Sequence, residues 1–406
     1  MTWLLWLACT SGPSRHPLRA DPPYRPFPYD GPVAAGISVP DLPRHTIDDA
    51  LTAAYDDWAA AYLAEAAPDA DGPTWRVKMN RTANAPTTSE SQGYGMLLTA
   101  WFAGHDPAAR ERFDGLRRYR LRHSSVLDPR LMDWEVPADE APSPDDDSAF
   151  DGDADAAYAL LLADAQWGSD EVDYRADAET VLAGLVELLG ADSHQPLLGD
   201  WVDPDGGRYS QWTPRSSDWM PESFRVFADA TGDERWTAAV DAAYAAIAQV
   251  QRDHSPGTGL LPDFLVRDGA GYAPAPPGFL ESDHDGAYGY NACRDPWRIG
   301  ADAFTTGEPR AVAALAPLAA WARAETGGDP ESLGSGYELD GTLIPGYRYS
   351  SSVYVGPMLV AQATDPQGQA WLDAGFAAVA DAREGYFEDS VALLSLLTVS
   401  GRRWTP

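Results

Sequence analysis

The residues best suited to chemistry in this sequence are carboxylates set among aromatic side chains. Glu90 stands in Ser89-Glu-Ser-Gln-Gly-Tyr-Gly-Met96, where a helix should begin and where Thr88 or Ser89 could cap it. A helix N-terminus lowers a carboxyl pKa, whereas packing against Tyr94 or another ring raises it. Work as a general acid needs the second effect to win. On local features alone, Glu90 reads as a helix-start acid. Asp151 and Asp153 also open a helical stretch, after the acidic run Asp145-Asp-Asp-Ser148, and their position alone allows capping or solvation. Trp134, Trp201, Trp212, Trp219 and Trp297 lie in or beside long links between helical stretches. Indole faces stack on the apolar C–H faces of sugar rings, and carboxylates bind sugar hydroxyls, although any of these tryptophans could instead fill the core.

Other chemistries find little support. The sequence holds no His-Glu-x-x-His, no Cys-x-x-Cys and no P-loop, so neither metal nor cofactor is expected. Asp151-Gly-Asp-Ala-Asp155 imitates the start of a calcium loop but carries Ala156 where glycine is needed and Leu162 where glutamate is needed. Cys9 and Cys293 are too few for a disulfide framework. With 62 acidic and 29 basic residues the net charge is −33, which excludes nucleic acid as a partner. Lys78 is the only lysine. Such a balance fits a high-GC, salt-adapted proteome, or attraction of a cationic polymer such as chitosan.

These residues need elements to position them. The chain has 406 residues, 44% of them apolar, which is ample for a core and leaves no run long enough to span a membrane. Beyond residue 45 the apolar spacing is helical. It predicts about twelve helices, near 47–66, 89–103, 107–122, 153–167, 172–189, 220–231, 234–252, 294–305, 309–325, 351–363, 368–382 and 388–399. Short links alternate with long, aromatic and acidic ones at 68–88, 123–150, 191–219, 253–291 and 326–350. In a ring of helical hairpins the long links would gather at one end and build a site there. The expected organisation is a leader and Pro-rich tether over 1–44 and one all-α domain over 45–406. The apolar run Trp3 to Ala8, followed by Cys9 and a polar stretch, resembles a bacterial lipoprotein cleavage site. That implies an exported protein with a lipid anchor at Cys9.

Taken together, the motifs resemble glycoside hydrolase family 8, over about residues 72–404. Ser89-Glu-Ser-Gln-Gly-Tyr-Gly-Met96 is similar to that family's Ser-Glu-Gly-Gln-x-Tyr-Gly-Met, with Ser91 in place of a glycine. Leu131-Met-Asp-Trp134 is similar to its Leu-Met-x-Trp, and Ala149-Phe-Asp-Gly-Asp153 to its Ala-Ser/Thr-Asp-Gly/Ala-Asp, with Phe150 departing. Arg215-Ser-Ser-Asp-Trp-Met220, Gly259-Leu-Leu-Pro-Asp-Phe264, Trp371-Leu372, Tyr386-Phe-Glu-Asp-Ser390 and Ser400-Gly-Arg-Arg-Trp404 also match. The resemblance implies an (α/α)6 barrel of six helical hairpins that hydrolyses β-1,4-linked polysaccharides with inversion. It implies Glu90 as general acid and Asp151 at the sugar being cleaved. Many members carry the general base as aspartate in Tyr-Asp-Ala-x-Arg, but this chain reads Tyr290-Asn-Ala-Cys-Arg294, and an amide cannot take a proton from water. A second branch has asparagine there and a glutamate base within Phe-Leu-Glu in the preceding loop. Phe279-Leu280-Glu281 fits that branch and implies Glu281 as base.

Substrate contacts are expected from Tyr94, Trp134, Asp153, Trp212, Trp219 and Arg294. The substrate ranks as cellulose or mixed-linkage β-glucan first, chitosan next and xylan third, with the protein acting as a monomer. The competing reading is a sugar-binding pseudoenzyme on the same scaffold. A polysaccharide lyase is disfavoured, because lyases act on uronates and place basic residues in the cleft.

Overall fold

The computed structural model describes residues 22–142 and 146–406. Among them are twelve α-helices: α1 Arg44–Tyr62, α2 Ser89–Trp101, α3 Ala109–Arg122, α4 Phe150–Trp167, α5 Tyr174–Leu185, α6 Pro221–Thr231, α7 Glu234–His254, α8 Asp295–Thr306, α9 Pro309–Glu325, α10 Ser352–Ala363, α11 Gln369–Asp381 and α12 Tyr386–Val399. The even-numbered helices touch in sequence, α2 to α4 and so on to α12, which closes back on α2. The odd-numbered helices pack outside this ring. The molecule is an (α/α)6 barrel.

The sequence explains which helix goes where. In α4, α10 and α12 nearly every residue is buried, as a helix surrounded by others requires. In α3, α7 and α9 only one stripe is buried, and most of the rest is charged or alanine. Short turns, as at Gly232 and Gly307, follow the C-termini of the inner helices. The long links all precede the N-termini of inner helices, so they collect at one end of the barrel. Two of those glycines have φ of +70° and +71°, the left-handed cap that stops each inner helix.

Three small antiparallel strand pairs were not expected from the spacing: the hairpins β1 Leu63–Asp69 with β2 Gly72–Val77 and β5 Leu265–Asp268 with β6 Gly271–Pro274, and the long-range pair β3 Thr87–Thr88 with β4 Glu135–Val136. The first shortens α1. Residues 63–66 carry the helical apolar spacing, yet Leu63 pairs with Val77 and Ala64 with Arg76. Cross-strand pairing there outweighs helix propensity.

Residues 22–43 also differ from the expected tether. They cross the end of the barrel opposite the long links. Backbone bonds tie Phe27 to Ala103, Gly31 to Gly401, Ala34 to Phe304 and Ser38 to Ala363, each at or just past the C-terminus of an inner helix. The Phe27 ring stacks on Phe102 at 4.7 Å. Gly31 lies so close to the Arg403 carbonyl that a Cβ there would sit 1.7 Å from its oxygen. This strap belongs to the folded domain. The leader and the lipid attachment expected at Cys9 lie outside the described residues.

Candidate active site

The inner helices point their N-termini at the end where the long links gather, and several carry a polar side chain in or just before the first turn. Six aligned helix dipoles favour negative charge there. Glu90 enters from α2. Its helix starts at a fixed point because Thr88 Oγ1 accepts the Ser91 N–H at 3.1 Å and Ser91 Oγ accepts the Thr88 N–H at 3.0 Å, a reciprocal cap. Asp151 enters from α4. The two helices can approach because Gly152 faces the first turn of α2, where a Cβ would lie 2.4 Å from the Glu90 nitrogen. The glycine in the Phe-Asp-Gly-Asp motif thus sets two carboxylates side by side.

Arg294, just before α8, joins them. Its Nη1 donates to Glu90 Oε2 at 2.6 Å and to Asp151 Oδ2 at 2.8 Å. Its Nη2 donates to Ser217 Oγ at 2.8 Å and to Asn291 Oδ1 at 2.9 Å. Arg215 reaches Asp151 Oδ1 at 2.9 Å from the other side. The opposite oxygen of Glu90 accepts the Tyr386 hydroxyl at 3.1 Å, from the start of α12.

These surroundings drive the two carboxyls apart. Burial raises the Glu90 pKa above its ordinary value; Arg294 offsets part of this and the Asp151 charge adds to it. Burial acts on Asp151 too, but Arg215 and Arg294 override it and hold that carboxyl well below the usual range. One acid therefore keeps its proton more readily and its neighbour stays charged. Removal from water is the largest single influence at Glu90.

Glu281 comes from the exposed link between α7 and α8. Its Oε2 accepts the Asn291 Nδ2–H at 2.9 Å. Its backbone is clasped from beneath: buried Asp285 accepts the N–H groups of Leu280 at 2.7 Å, Glu281 at 3.1 Å and Ser282 at 2.9 Å. Arg208 and the Tyr209 hydroxyl bond the Phe279 carbonyl. Asp263 holds the approach to α8 by accepting the N–H groups of Gly289, Asn291 and Ala292 at 3.0, 3.1 and 2.7 Å.

The structure therefore brings together Glu90, Asp151, Arg294 and Glu281. It corrects the expected role of several other residues. Asp153 is fully buried and binds Arg120 at 2.7 Å and the Met132 N–H at 3.0 Å, so it braces the loop before Trp134 and meets no substrate. Trp219 is 0% exposed, and its indole N–H is spent on Gln195 at 2.5 Å, so it is core. Tyr94 is likewise buried, edge-on to Trp297, with only its hydroxyl near Arg294. Arg294 has its donors committed to protein groups and positions carboxylates, not sugar. Trp212 is half-buried, with one face covered by the Arg267 guanidinium 4.0 Å from the ring centre. Trp134, at 43% exposed, remains an open indole face. The sequence reading missed Tyr349, which is exposed and meets Tyr290 through their hydroxyls at 2.8 Å, next to Asn291. It also missed Tyr386, Asp263 and Asp285. Tyr386 and Asp263 lie inside quoted motifs, whereas Asp285 sits in an ordinary turn-like run that carries no signal. Among the described residues, no group of His, Cys, Asp and Glu is arranged to hold a metal ion.

Comparison with known proteins gives a consistent picture. The family model described as glycosyl hydrolases family 8 matches residues 27–401. A β-glucanase of Niallia circulans is 37% identical over 387 residues, covering 94% of this chain and 92% of its own. An endoglucanase of Bacillus sp. (strain KSM-330) is 35% identical over 390 residues, covering 94% and 82%. Among solved structures, the apo β-1,3-1,4-glucanase of Paenibacillus sp. X4 superposes with a TM-score of 0.89 at 36% identity, covering 95% of this chain and 100% of that one. A xylanase of Teredinibacter turnerae, at 19% identity and a TM-score of 0.76 over 92% of this chain and all of its own, shares the fold.

Proposed function

The chain belongs to glycosyl hydrolase family 8 and is a glycoside hydrolase, and from that premise we propose that it cleaves β-1,4 bonds inside β-glucan chains with inversion at the anomeric carbon. Mixed-linkage β-glucan and cellulose-type chains are the first substrates, chitosan and xylan the next. The relatives named for β-glucan support that order, and the exposed rings of Trp134 and Tyr349 offer faces on which sugar rings can stack.

In this reading Glu90 gives its proton to the glycosidic oxygen as the C–O bond breaks. A water attacks the anomeric carbon from the opposite face, and Glu281 takes the proton that the water loses. The leaving chain departs with a new hydroxyl, and the other product is a hemiacetal of inverted configuration. Glu90 ends charged and Glu281 protonated, and exchange with solvent resets both. Asp151, held ionised by two arginines, stands at the sugar being cleaved and favours the positive charge that develops there. Inversion needs room for the water, so the two carboxyls should lie roughly 6.5–9.5 Å apart. The observation that carries the reading is the contrast between a half-buried Glu90, whose pKa is raised, and an exposed Glu281 on one hydrogen-bond path.

The test is reducing-sugar release from lichenan, carboxymethylcellulose, chitosan and xylan by the wild type and by Glu281→Gln. Release by the wild type alone, largest on a β-glucan, is the expected outcome. Turnover by Glu281→Gln at the wild-type rate would remove Glu281 as base, and no release from any polymer by folded wild type would leave a binding protein.

A further inference from the structure

The asparagine at position 291 looks at first like the loss of a base. The geometry gives it a different meaning. Its amide is used at both ends: Oδ1 accepts from Arg294 Nη2 at 2.9 Å, and Nδ2 donates to Glu281 Oε2 at 2.9 Å. The amide orientation is fixed by chemistry, because an arginine offers only donors and a carboxylate only acceptors. Arg294 in turn holds Glu90 at 2.6 Å. Acid and base are therefore joined by an unbroken path, Glu90 to Arg294 to Asn291 to Glu281.

We propose that Asn291 is a positioning residue that fixes the spacing between the acid and the base and supplies the hydrogen-bond donor that orients the Glu281 carboxylate. This rests on Glu281 acting as base. An aspartate at 291 could still accept from Arg294, but its second oxygen would face a Glu281 oxygen at hydrogen-bond distance. Two carboxylates that close share a proton and cannot both be ionised. Asparagine at 291 and glutamate at 281 are thus a matched pair, since the amide supplies the one donor that this place requires.

Asn291 itself is held from behind, its N–H on Asp263 and its carbonyl accepting the Arg294 Nε–H at 3.3 Å, so its side chain has little freedom to leave Glu281. The charged groups that bear on Glu281 come from several elements. Arg215 and Asp263 feel its charge from the loops before α6 and α8, Arg294 acts through Asn291, and Asp285 lies in its own loop. None of them donates a hydrogen bond to the Glu281 carboxylate as Asn291 does.

The experiment compares pH–rate profiles of the wild type, Asn291→Asp, Asn291→Ala and Glu281→Gln on one soluble β-glucan. For Asn291→Asp the acidic limb of kcat should move to higher pH by about one unit or more, with kcat at the wild-type optimum down about tenfold and KM within about twofold. Asn291→Ala adds no carboxyl, so it should lose kcat with a smaller movement of that limb. An Asp variant with the wild-type profile overturns the proposal. So do Asp and Ala variants with equal losses and superimposable profiles, which would mark a merely structural residue. Failure of the underlying base assignment is distinguishable, because Glu281→Gln would then keep turnover.

Discussion

The two proposed catalytic carboxyls sit in contrasting surroundings. Glu90 stands on the first turn of an inner helix, capped, close against a second helix through Gly152, and tied to Arg294 and Tyr386. Glu281 stands on an exposed loop and gets its place from Asp285 beneath and Asn291 beside it. A group that must hold a proton gains from removal from water, and a group that must be charged gains from exposure to it. The barrel supplies dry, rigid helix starts, and the long links supply wet ground. The fold separates the two roles by separating helix from loop.

Three changes would break or sharpen that contrast, in falling order of effect. Glu90→Gln keeps the shape and removes the proton, so kcat should fall by about 10²–10⁴-fold while oligosaccharide affinity and melting temperature hold. Steady-state kinetics with calorimetric sugar binding would check it, and retained turnover would mean that the Glu90 carboxyl is not the acid. In the wild type the raised Glu90 pKa predicts that activity falls on the alkaline side, as pH rises through that pKa.

Asp285→Ala acts on the wet side. It strips three N–H groups of their acceptor at a cost of about 1–3 kcal/mol in stability, and it loosens the base loop, for a loss of about tenfold or more in kcat. Denaturant melts and kinetics on the same preparation would separate the two. A stability loss with unchanged kcat would show that the loop keeps Glu281 in place without its clasp.

The smallest effect belongs to Asp295 in the dry layer. It is fully buried, and neither of its oxygens makes a well-formed hydrogen bond. Burial pushes its carboxyl well above the ordinary range. The folded state therefore favours the neutral form, and that contribution is present at low pH and lost as pH rises through the folded pKa. Asp295→Asn should flatten the decline of melting temperature on the alkaline side. An unchanged slope would mean that Asp295 is charged and paired.

How much of this could be read beforehand follows the same division. The twelve helices were legible because burial on one stripe or all round leaves a periodic trace, and most ends fell within a few residues. The strand pairs were not, since strands of two to seven residues, several with proline or glycine, leave no alternation long enough to see. The strap over 22–43 looked like a tether by composition, and a buried Phe27 and Pro40 hardly alter that composition. Within the site, Glu90, Asp151 and Glu281 were reached through motif resemblance, and their local features alone left them as helix-start or loop acids. Tryptophan content marked Trp134 and Trp219 equally, because residue type does not say which indole meets solvent and which meets Gln195. Asp285 stayed hidden because its partners are backbone N–H groups, which every sequence has.

The strap has a consequence for how the molecule presents itself. Residue 22 lies beside the C-termini of α2 and α4, on the face turned away from Glu90 and Glu281. A molecule immobilised on a bead or a matrix through the chain that precedes the strap would stand with its back to the support. The cleft would face outward, free to meet polymers far larger than the enzyme, whereas attachment through the long links would turn it toward the surface.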